Sequence, residues 1–294
     1  MSTLRYGTCS WKFPSWKGIV YSAADRINYL AEYAQKYTTV EIDQWFWSLF
    51  DTDSVALPKA ETVAEYMASV PPEFAFTVKA PNSVTLTHFY TRGSQRGSGK
   101  NPYFLSPKLF QDFLAHIEPM RAQTATVMLQ FEYLNKEKMS GVAEFTDRLD
   151  RFLDAVGTEW PLSVELRNPN YFHPIYFTAL ANRRVSHVFC HGYYMPAAME
   201  VYGRHGGGLH GPAYIRLMGT DRAAIEKETG KKWDRIVMPK DDELPALADM
   251  IVGMLDTRDV YVNVNNHYEG SAPLTIEKLE RLVDERRERF SQIR

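Results

Sequence analysis

The feature that most constrains this sequence is the regular recurrence of short apolar runs along nearly its whole length. Eight such runs, bounded by Gly, Pro or Asn, begin between residues 4 and 260, at a mean spacing of about 37 residues. That spacing is typical of a strand, a loop and a helix repeated around a parallel sheet. The runs are Leu4–Cys9, Thr39–Asp43, Phe74–Lys79, Thr126–Phe131, Leu162–Arg167, His187–His191, Tyr214–Met218 and Val260–Asn265. We therefore predict an α/β fold, a single TIM-type (β/α)8 barrel formed by one domain over residues 1–294.

Amphipathic segments fill most of the intervals between the runs. Asp25 is the expected N-cap of the first helix, and Ser106 followed by Pro107 predicts the start of another. Two intervals differ from this pattern. Residues 84–101, after the third run, are polar and basic, while residues 192–212, after the sixth, are rich in glycine and lack a helical stripe. We expect irregular insertions after strands 3 and 6.

Composition and charge exclude several classes of protein. The chain has 34 Lys and Arg against 36 Asp and Glu, a net charge of −2, so no global field attracts it to nucleic acid or to a membrane surface. The two cysteines, Cys9 and Cys190, form no CxxC motif, which is typical of a reducing compartment. No apolar run approaches the roughly 20 residues that span a bilayer. We expect a cytoplasmic protein with no membrane partner, and its oligomeric state stays open.

Charged side chains occupy the phase of the strands that should face the barrel interior. In the third run Phe74, Phe76 and Val78 form the apolar phase, which leaves Lys79 on the other one. An unpaired buried charge costs several kcal/mol, so such residues must pair with each other, meet water or bind a ligand. The same sorting places further polar residues inside: Glu41, Gln130, Glu165, Arg167, His187, His191, Arg216, Asn263 and Asn265.

These segments also resemble the YecE-like family, the domain of unknown function 72. The ordered motifs are GTCSWKFPSWKGIVY, YAQKYTTVEID, FAFTVKAP followed by LTH, VMLQF, SVELRN, YIRL and VYVNVNNHYEGSAP, which together cover Gly7 to Pro273. The resemblance implies a TIM-type barrel but no reaction. The chain departs from the family pattern at Cys9, Lys12, Met218 and the Asp43-Gln44-Trp45 segment. The polar residues that match the family pattern are Glu41, Lys79, His88, Gln130, Glu165, Arg167, Arg216 and Asn266.

The first functional hypothesis is an enzyme, a hydrolase or an isomerase. Glu41 and Glu165 are the expected acid and base, and Lys79 the proton donor or charge stabiliser, at the carboxyl-end mouth of the barrel. The expected substrate is small and polar or anionic, such as a sugar or a phosphorylated or nucleotide derivative. The residues expected to bind it are His88, Gln130, Arg167, Arg216, Asn265, Asn266 and Trp11.

Three alternatives stay open. One is a protein that binds nucleic acid or a phosphate ligand without catalysis, using Arg92, Arg96 and Lys100 of the basic insertion. Another is a metal-assisted hydrolase with one divalent metal on His191, His267 and a glutamate. The third is a purely structural network of ion pairs. No cofactor is identifiable, because the sequence contains neither GxGxxG opening a helix nor GxxxxGK[ST].

Overall fold

A computed structural model describes residues 2–51, 54–89 and 99–293. The chain divides into two compact units. The first unit consists of Met1–Glu41, Val188–Gly207 and Gly211–Arg294, and the second of Ile42–His187 and Gly208–His210. That the chain is a single domain stays a prediction.

The strands confirm the predicted rhythm. Eight of them form one sheet in the order β1-β10-β9-β8-β7-β6-β5-β2, and a parallel bridge between Cys9 and Glu41 links β1 to β2. The fold is the predicted TIM-type α/β class, and each predicted run coincides with one of the eight strands to within two residues. The strands of the described residues are β1 (Leu4–Thr8), β2 (Thr39–Ile42), β3 (Leu49–Asp51), β4 (Ser54–Val55), β5 (Ala75–Lys79), β6 (Thr124–Gln130), β7 (Leu162–Glu165), β8 (Ser186–His191), β9 (Ala213–Leu217) and β10 (Val260–Val264).

Helices separate the strands of this sheet, and β3 and β4 form an antiparallel pair of their own. The α-helices of the described residues are α1 (Tyr29–Tyr33), α2 (Ala60–Ala68), α3 (Asn82–Thr85), α4 (Pro107–Ile117), α5 (Val142–Val156), α6 (Pro174–Asn182), α7 (Ala198–His205), α8 (Arg222–Thr229), α9 (Leu244–Leu255) and α10 (Ala272–Ile293). None of the helices in the described ranges is long and apolar enough to cross a membrane.

Of the two predicted helix N-caps, the one at α4 is confirmed and the one at α1 is wrong. Ser106 caps α4 as predicted, because its hydroxyl accepts a hydrogen bond from Leu109 N at 3.3 Å. The cap of α1 is Asn28 rather than Asp25: the Asn28 side chain accepts from Leu30 N and Ala31 N, both at 3.1 Å.

The two unusual connections contain local structure. The connection after β8 includes the eight-residue helix α7, which its glycine content conceals in the sequence. The basic insertion is described only at its two ends, where His88 pairs with Lys100 in an antiparallel bridge. Arg92 and Arg96 lie outside the described residues.

Strand register decides which side chains share a face, because aligned residues of parallel strands point to the same side. In the first unit Asn263 is aligned with Arg216, and Arg216 with Cys190. The prediction for the sixth run was therefore wrong by one residue: Cys190, not His191, shares the face of Arg216. His187 and Phe189 contact helices instead, His187 with Tyr176 of α6 and Phe189 with Tyr202 of α7. Both phases of β8 are buried, so its alternation carries no signal.

Candidate functional site

A buried ion pair joins β2 and β9 in the first unit. Arg216 Nε lies 2.7 Å from Glu41 Oε2, and Arg216 Nη2 lies 2.7 Å from Glu41 Oε1. Glu41 is fully buried and Arg216 is 2% exposed. Such a two-point contact is the strongest geometry available to a guanidinium and a carboxylate. The structure thus brings together two of the predicted site residues and uses both oxygens of Glu41.

A cluster of sulfur-containing side chains lies next to this pair and contacts it through Cys9. Cys9 Sγ lies 3.8 Å from Glu41 Oε2, 3.8 Å from Arg216 Nη2 and 3.8 Å from Met218 Sδ. Cys190 belongs to the same buried cluster, and half-buried Tyr193 packs against it. The sequence shows both cysteines but not their proximity, because they lie 181 positions apart in the chain. Neither cysteine takes part in a disulfide.

In the second unit, three neighbouring strands carry predicted site residues at their carboxyl ends. Lys79, Gln130 and Glu165 are the last residues of β5, β6 and β7. The register aligns Gln130 with Glu165, and Lys79 with Met128 and Ser163, so all of these side chains share one face. This alignment agrees with the phase inferred from the sequence.

The charged groups on this face have defined contacts. Lys79 Nζ lies 3.8 Å from the centroid of the Phe46 ring, a distance typical of a cation–π contact. Glu165 is fully buried, and its Oε1 pairs with Arg167 Nη2 at 2.5 Å. The Arg167 side chain keeps 16% of its surface exposed while its guanidinium holds Glu165.

His88 belongs to a second polar group of this unit. Its Nδ1 lies 3.0 Å from Thr87 Oγ1, which in turn donates to Glu132 Oε1 at 2.9 Å. The other oxygen of Glu132 pairs with Lys138. These contacts orient the start of the basic insertion, and a ligand-binding role for His88 stays a prediction.

Three further predicted ligand residues, Trp11, Asn265 and Asn266, lie in connections of the first unit. Trp11 is 4% exposed, and its carbonyl accepts a hydrogen bond from a tyrosine hydroxyl. Asn265 Oδ1 accepts from His267 N at 2.9 Å. Asn266 Oδ1 accepts from Ala272 N at 2.9 Å, at the first residue of α10. The contacts of Asn265 and Asn266 shape the connection between β10 and α10, and binding by all three residues stays a prediction.

Sequence reasoning missed a hydrogen-bonded group around Glu243 in the first unit. His191 Nδ1 accepts from Ala198 N at 3.2 Å, which leaves the ring proton on Nε2, and that nitrogen lies 2.8 Å from Glu243 Oε2. Tyr268 donates to the same oxygen at 3.0 Å, and Lys240 to the other at 3.1 Å. Burial raises the pKa of the Glu243 carboxyl, but the hydrogen bonds from His191 and Lys240 outweigh burial, and the pKa lies below its ordinary value. The sequence signal that could have indicated this group is His191, the last residue of β8.

The two histidines of the predicted metal site contact different glutamates. His191 pairs with Glu243, and His267 Nε2 lies 3.1 Å from Glu226 Oε1. Within residues 2–51, 54–89 and 99–293, no group of three or more His, Cys, Asp or Glu side chains has an arrangement suited to a metal ion.

Comparisons with known proteins agree with the fold. The model of the DUF72 family, described as a protein of unknown function, matches residues 5–293. A DUF72 family protein from Enterococcus faecalis V583 has a similar crystal structure, with 19% identity, 96% coverage of both chains and a TM-score of 0.66. Another, from Thermotoga maritima MSB8, has 20% identity, coverage of 96% of this chain and 99% of that one, and a TM-score of 0.65. At these identities the likeness shows the fold alone. No curated protein matches the sequence.

Proposed function

This chain belongs to the DUF72 family of proteins of unknown function, and we propose that it is an enzyme that acts on a small polar or anionic substrate by acid–base chemistry. Lys79 and Glu165 are the proposed reacting groups. A sugar or a phosphorylated derivative is the proposed substrate class, and hydrolysis or isomerisation the reaction. A cytoplasmic location, based on the sequence, is part of the proposal.

The observation that carries the proposal is the shared face of Lys79, Gln130 and Glu165 at the carboxyl ends of three consecutive strands. TIM-type enzymes place their chemistry at these strand ends. Neighbouring strands lie about 4.8 Å apart, so β5 and β7 are about 10 Å apart across β6. A Lys and a Glu side chain at that spacing can reach the same small molecule from two sides.

The immediate contacts suit the two roles. The Phe46 ring orients the Lys79 ammonium, whose proposed role is to stabilise an oxyanion or donate a proton. Arg167 fixes the Glu165 carboxylate and, being partly exposed, is the proposed contact for an anionic group of the substrate. Gln130, aligned with Glu165, is the proposed hydrogen-bonding partner of a substrate hydroxyl.

Energetics supports function over stability as the reason for these charges. Moving a charged side chain out of water costs several kcal/mol, and a buried ion pair often does no better than apolar residues of similar volume. Lys79 is 8% exposed and Glu165 fully buried. Natural proteins retain such costly groups mainly where activity needs them.

The Glu41–Arg216 pair enters the proposal in a restricted role. Because the guanidinium donates to both oxygens of Glu41 at 2.7 Å, both oxygens already have a hydrogen-bond donor. We assign this pair the role of a fixed charge arrangement and not that of the proton-transfer base.

The test is a turnover and binding screen of the full-length protein with aryl glycosides, sugar phosphates and nucleotides. We expect at least one compound to be converted, and Lys79→Met and Glu165→Gln to lower its kcat by at least about 100-fold with unchanged thermal stability. Matched controls are Lys108→Met and Glu159→Gln, whose side chains are 83% and 92% exposed. They should retain full activity.

Two results would overturn the proposal. If a compound binds but is never converted, the face is a ligand-binding site without catalysis. If no compound binds and both variants unfold more easily, the charges form a structural network.

A further inference from the structure

Three sulfur-containing side chains converge in the first unit, and the proposed reaction uses none of them. Cys9, Cys190 and Met218 form a buried cluster with exposures of 5%, 6% and 4%. Cys9 Sγ and Met218 Sδ lie 3.8 Å apart. A purely apolar packing role does not account for the contacts of Cys9 with both members of the Glu41–Arg216 ion pair.

The backbone of the sheet holds these side chains in place. Cys9 N donates to Val264 O at 3.0 Å, and Met218 N donates to His191 O at 2.8 Å. Cys190 lies within β8, aligned with Arg216 of β9. Ligands on rigid strands are preorganised, so binding an ion would require little ordering of the chain.

We propose that Cys9, Cys190 and Met218 form a binding site for Cu(I), with two thiolates and one thioether as ligands. Soft sulfur ligands favour Cu(I), zinc and iron–sulfur clusters over hard metal ions. With metal–sulfur bonds of about 2.3 Å, as in zinc thiolates, neighbouring sulfurs in tetrahedral to trigonal sites lie about 3.8 to 4.0 Å apart. The observed 3.8 Å between Cys9 and Met218 agrees with this spacing.

The charge balance is also suitable. Binding releases the two thiol protons to solvent and leaves the oxidation state of copper unchanged, so the loaded site carries one negative charge. The Arg216 guanidinium, 3.8 Å from Cys9 Sγ, lies next to that charge. The negative charge of Glu41 repels that of the loaded site only in part, because Arg216 already pairs with both oxygens of Glu41.

The thioether distinguishes Cu(I) from zinc. Zinc sites in proteins use thiolate, imidazole and carboxylate ligands, usually four of them, whereas methionine sulfur is a ligand of Cu(I). Among the described residues no group of three His, Cys, Asp or Glu side chains suits a metal ion, so the proposed site depends on Met218 as its third ligand.

The experiment loads the reduced full-length protein with Cu(I) under anaerobic conditions against a chromogenic Cu(I) chelator. We expect one copper ion per chain to resist the chelator. Cys9→Ser and Cys190→Ser should each weaken the affinity by at least about 100-fold, and Met218→Leu by about tenfold. The matched control is Met254→Leu, because Met254 is fully buried in α9 and takes no part in the sulfur cluster.

Several outcomes would overturn this inference. The first is a wild-type protein that gives up its copper to the chelator as readily as the cysteine variants do. The second is an equal Cu(I) affinity of Met218→Leu and Met254→Leu. The third is tighter binding of zinc than of Cu(I) by the wild type. If the serine variants fail to fold, X-ray absorption of the copper-loaded wild type decides: three sulfur neighbours support the site, and nitrogen or oxygen neighbours contradict it. None of these measurements depends on the proposed enzymatic activity.

Discussion

The guanidinium of Arg216 donates to both carboxylate oxygens of Glu41, at 2.7 Å each, in a pair that is almost completely buried. The two residues lie 175 positions apart in the chain and come from β9 and β2. Their contact means that each charge depends on the other for its stability, since neither has ready access to water.

Removing only one partner should therefore be costly. We expect Arg216→Met to lower the free energy of unfolding by about 3 to 5 kcal/mol, because it leaves the Glu41 carboxylate buried without its cation. The double variant Glu41→Leu/Arg216→Met should recover most of this loss. Urea unfolding of both variants measures the effect. Arg204→Met is the control, because Arg204 is exposed and its ion pair with Glu200, at 4.0 Å, is a surface contact that contributes little stability. A double variant as unstable as Arg216→Met would contradict the argument.

In the second unit the side chain of Asn168 forms hydrogen bonds with both backbone groups of Leu134. Its Oδ1 accepts from Leu134 N at 2.8 Å, and its Nδ2 donates to Leu134 O at 2.9 Å, all in a buried environment. We expect Asn168→Ala to cost about 2 to 3 kcal/mol, because it leaves both Leu134 backbone groups unpaired. The exposed Asn182→Ala is the matched control in the same denaturation experiment and should change stability by less than about 0.5 kcal/mol. Equal losses in the two variants would show that the Leu134 contacts contribute nothing.

His267 should make stability depend on pH near neutrality. Burial lowers the pKa of its ring below the ordinary 6.5, and this effect exceeds the opposing effect of the hydrogen bond that the ring donates to Glu226. The unfolded chain therefore binds the proton first, so the stabilisation is complete above pH 6.5 and is lost as the pH falls through the lower folded pKa. Arg222 and Lys231 face the same group and also disfavour its protonation.

The corresponding measurement is unfolding from pH 8 to pH 5 for the wild type, His267→Gln and the exposed control His210→Gln. Only His267→Gln should flatten the decline below pH 6.5. The same slope in all three proteins would refute the assignment.

Two glycines should respond oppositely to alanine. Gly219 has a φ of +52°, and an added Cβ would lie 1.9 Å from His267 O, so Gly219→Ala should cost more than about 2 kcal/mol. Gly253 lies exposed within α9 with no atom within 4 Å of an added Cβ. Gly253→Ala should stabilise the protein by about 0.5 to 1 kcal/mol in thermal or urea unfolding. Destabilisation by Gly253→Ala, or tolerance of Gly219→Ala, would contradict this account.

The sequence was most informative where one phase of a strand is apolar and the other polar. In β5 the alternation of Phe74, Phe76 and Val78 with Lys79 identified the face that the register confirms. It failed in β8, where residues of both phases are buried, and the choice between Cys190 and His191 came from alignment with β9. It also missed Glu243, because that residue follows no strand and reaches His191 from a connection 52 residues away.

The sequence by itself determined the number and spacing of the eight strands of the main sheet, though not the β3–β4 pair, because hydrophobic periodicity and turn residues act locally. It also placed Glu41, Lys79, Glu165 and Arg216 within the strands and on one phase. Only the tertiary structure decided their partners: Arg216 for Glu41, Arg167 for Glu165, the Phe46 ring for Lys79, and Met218 and Cys190 around Cys9. The physical reason is that a strand's alternation sets the direction of a side chain, whereas its partner depends on the register between strands that are distant in the chain.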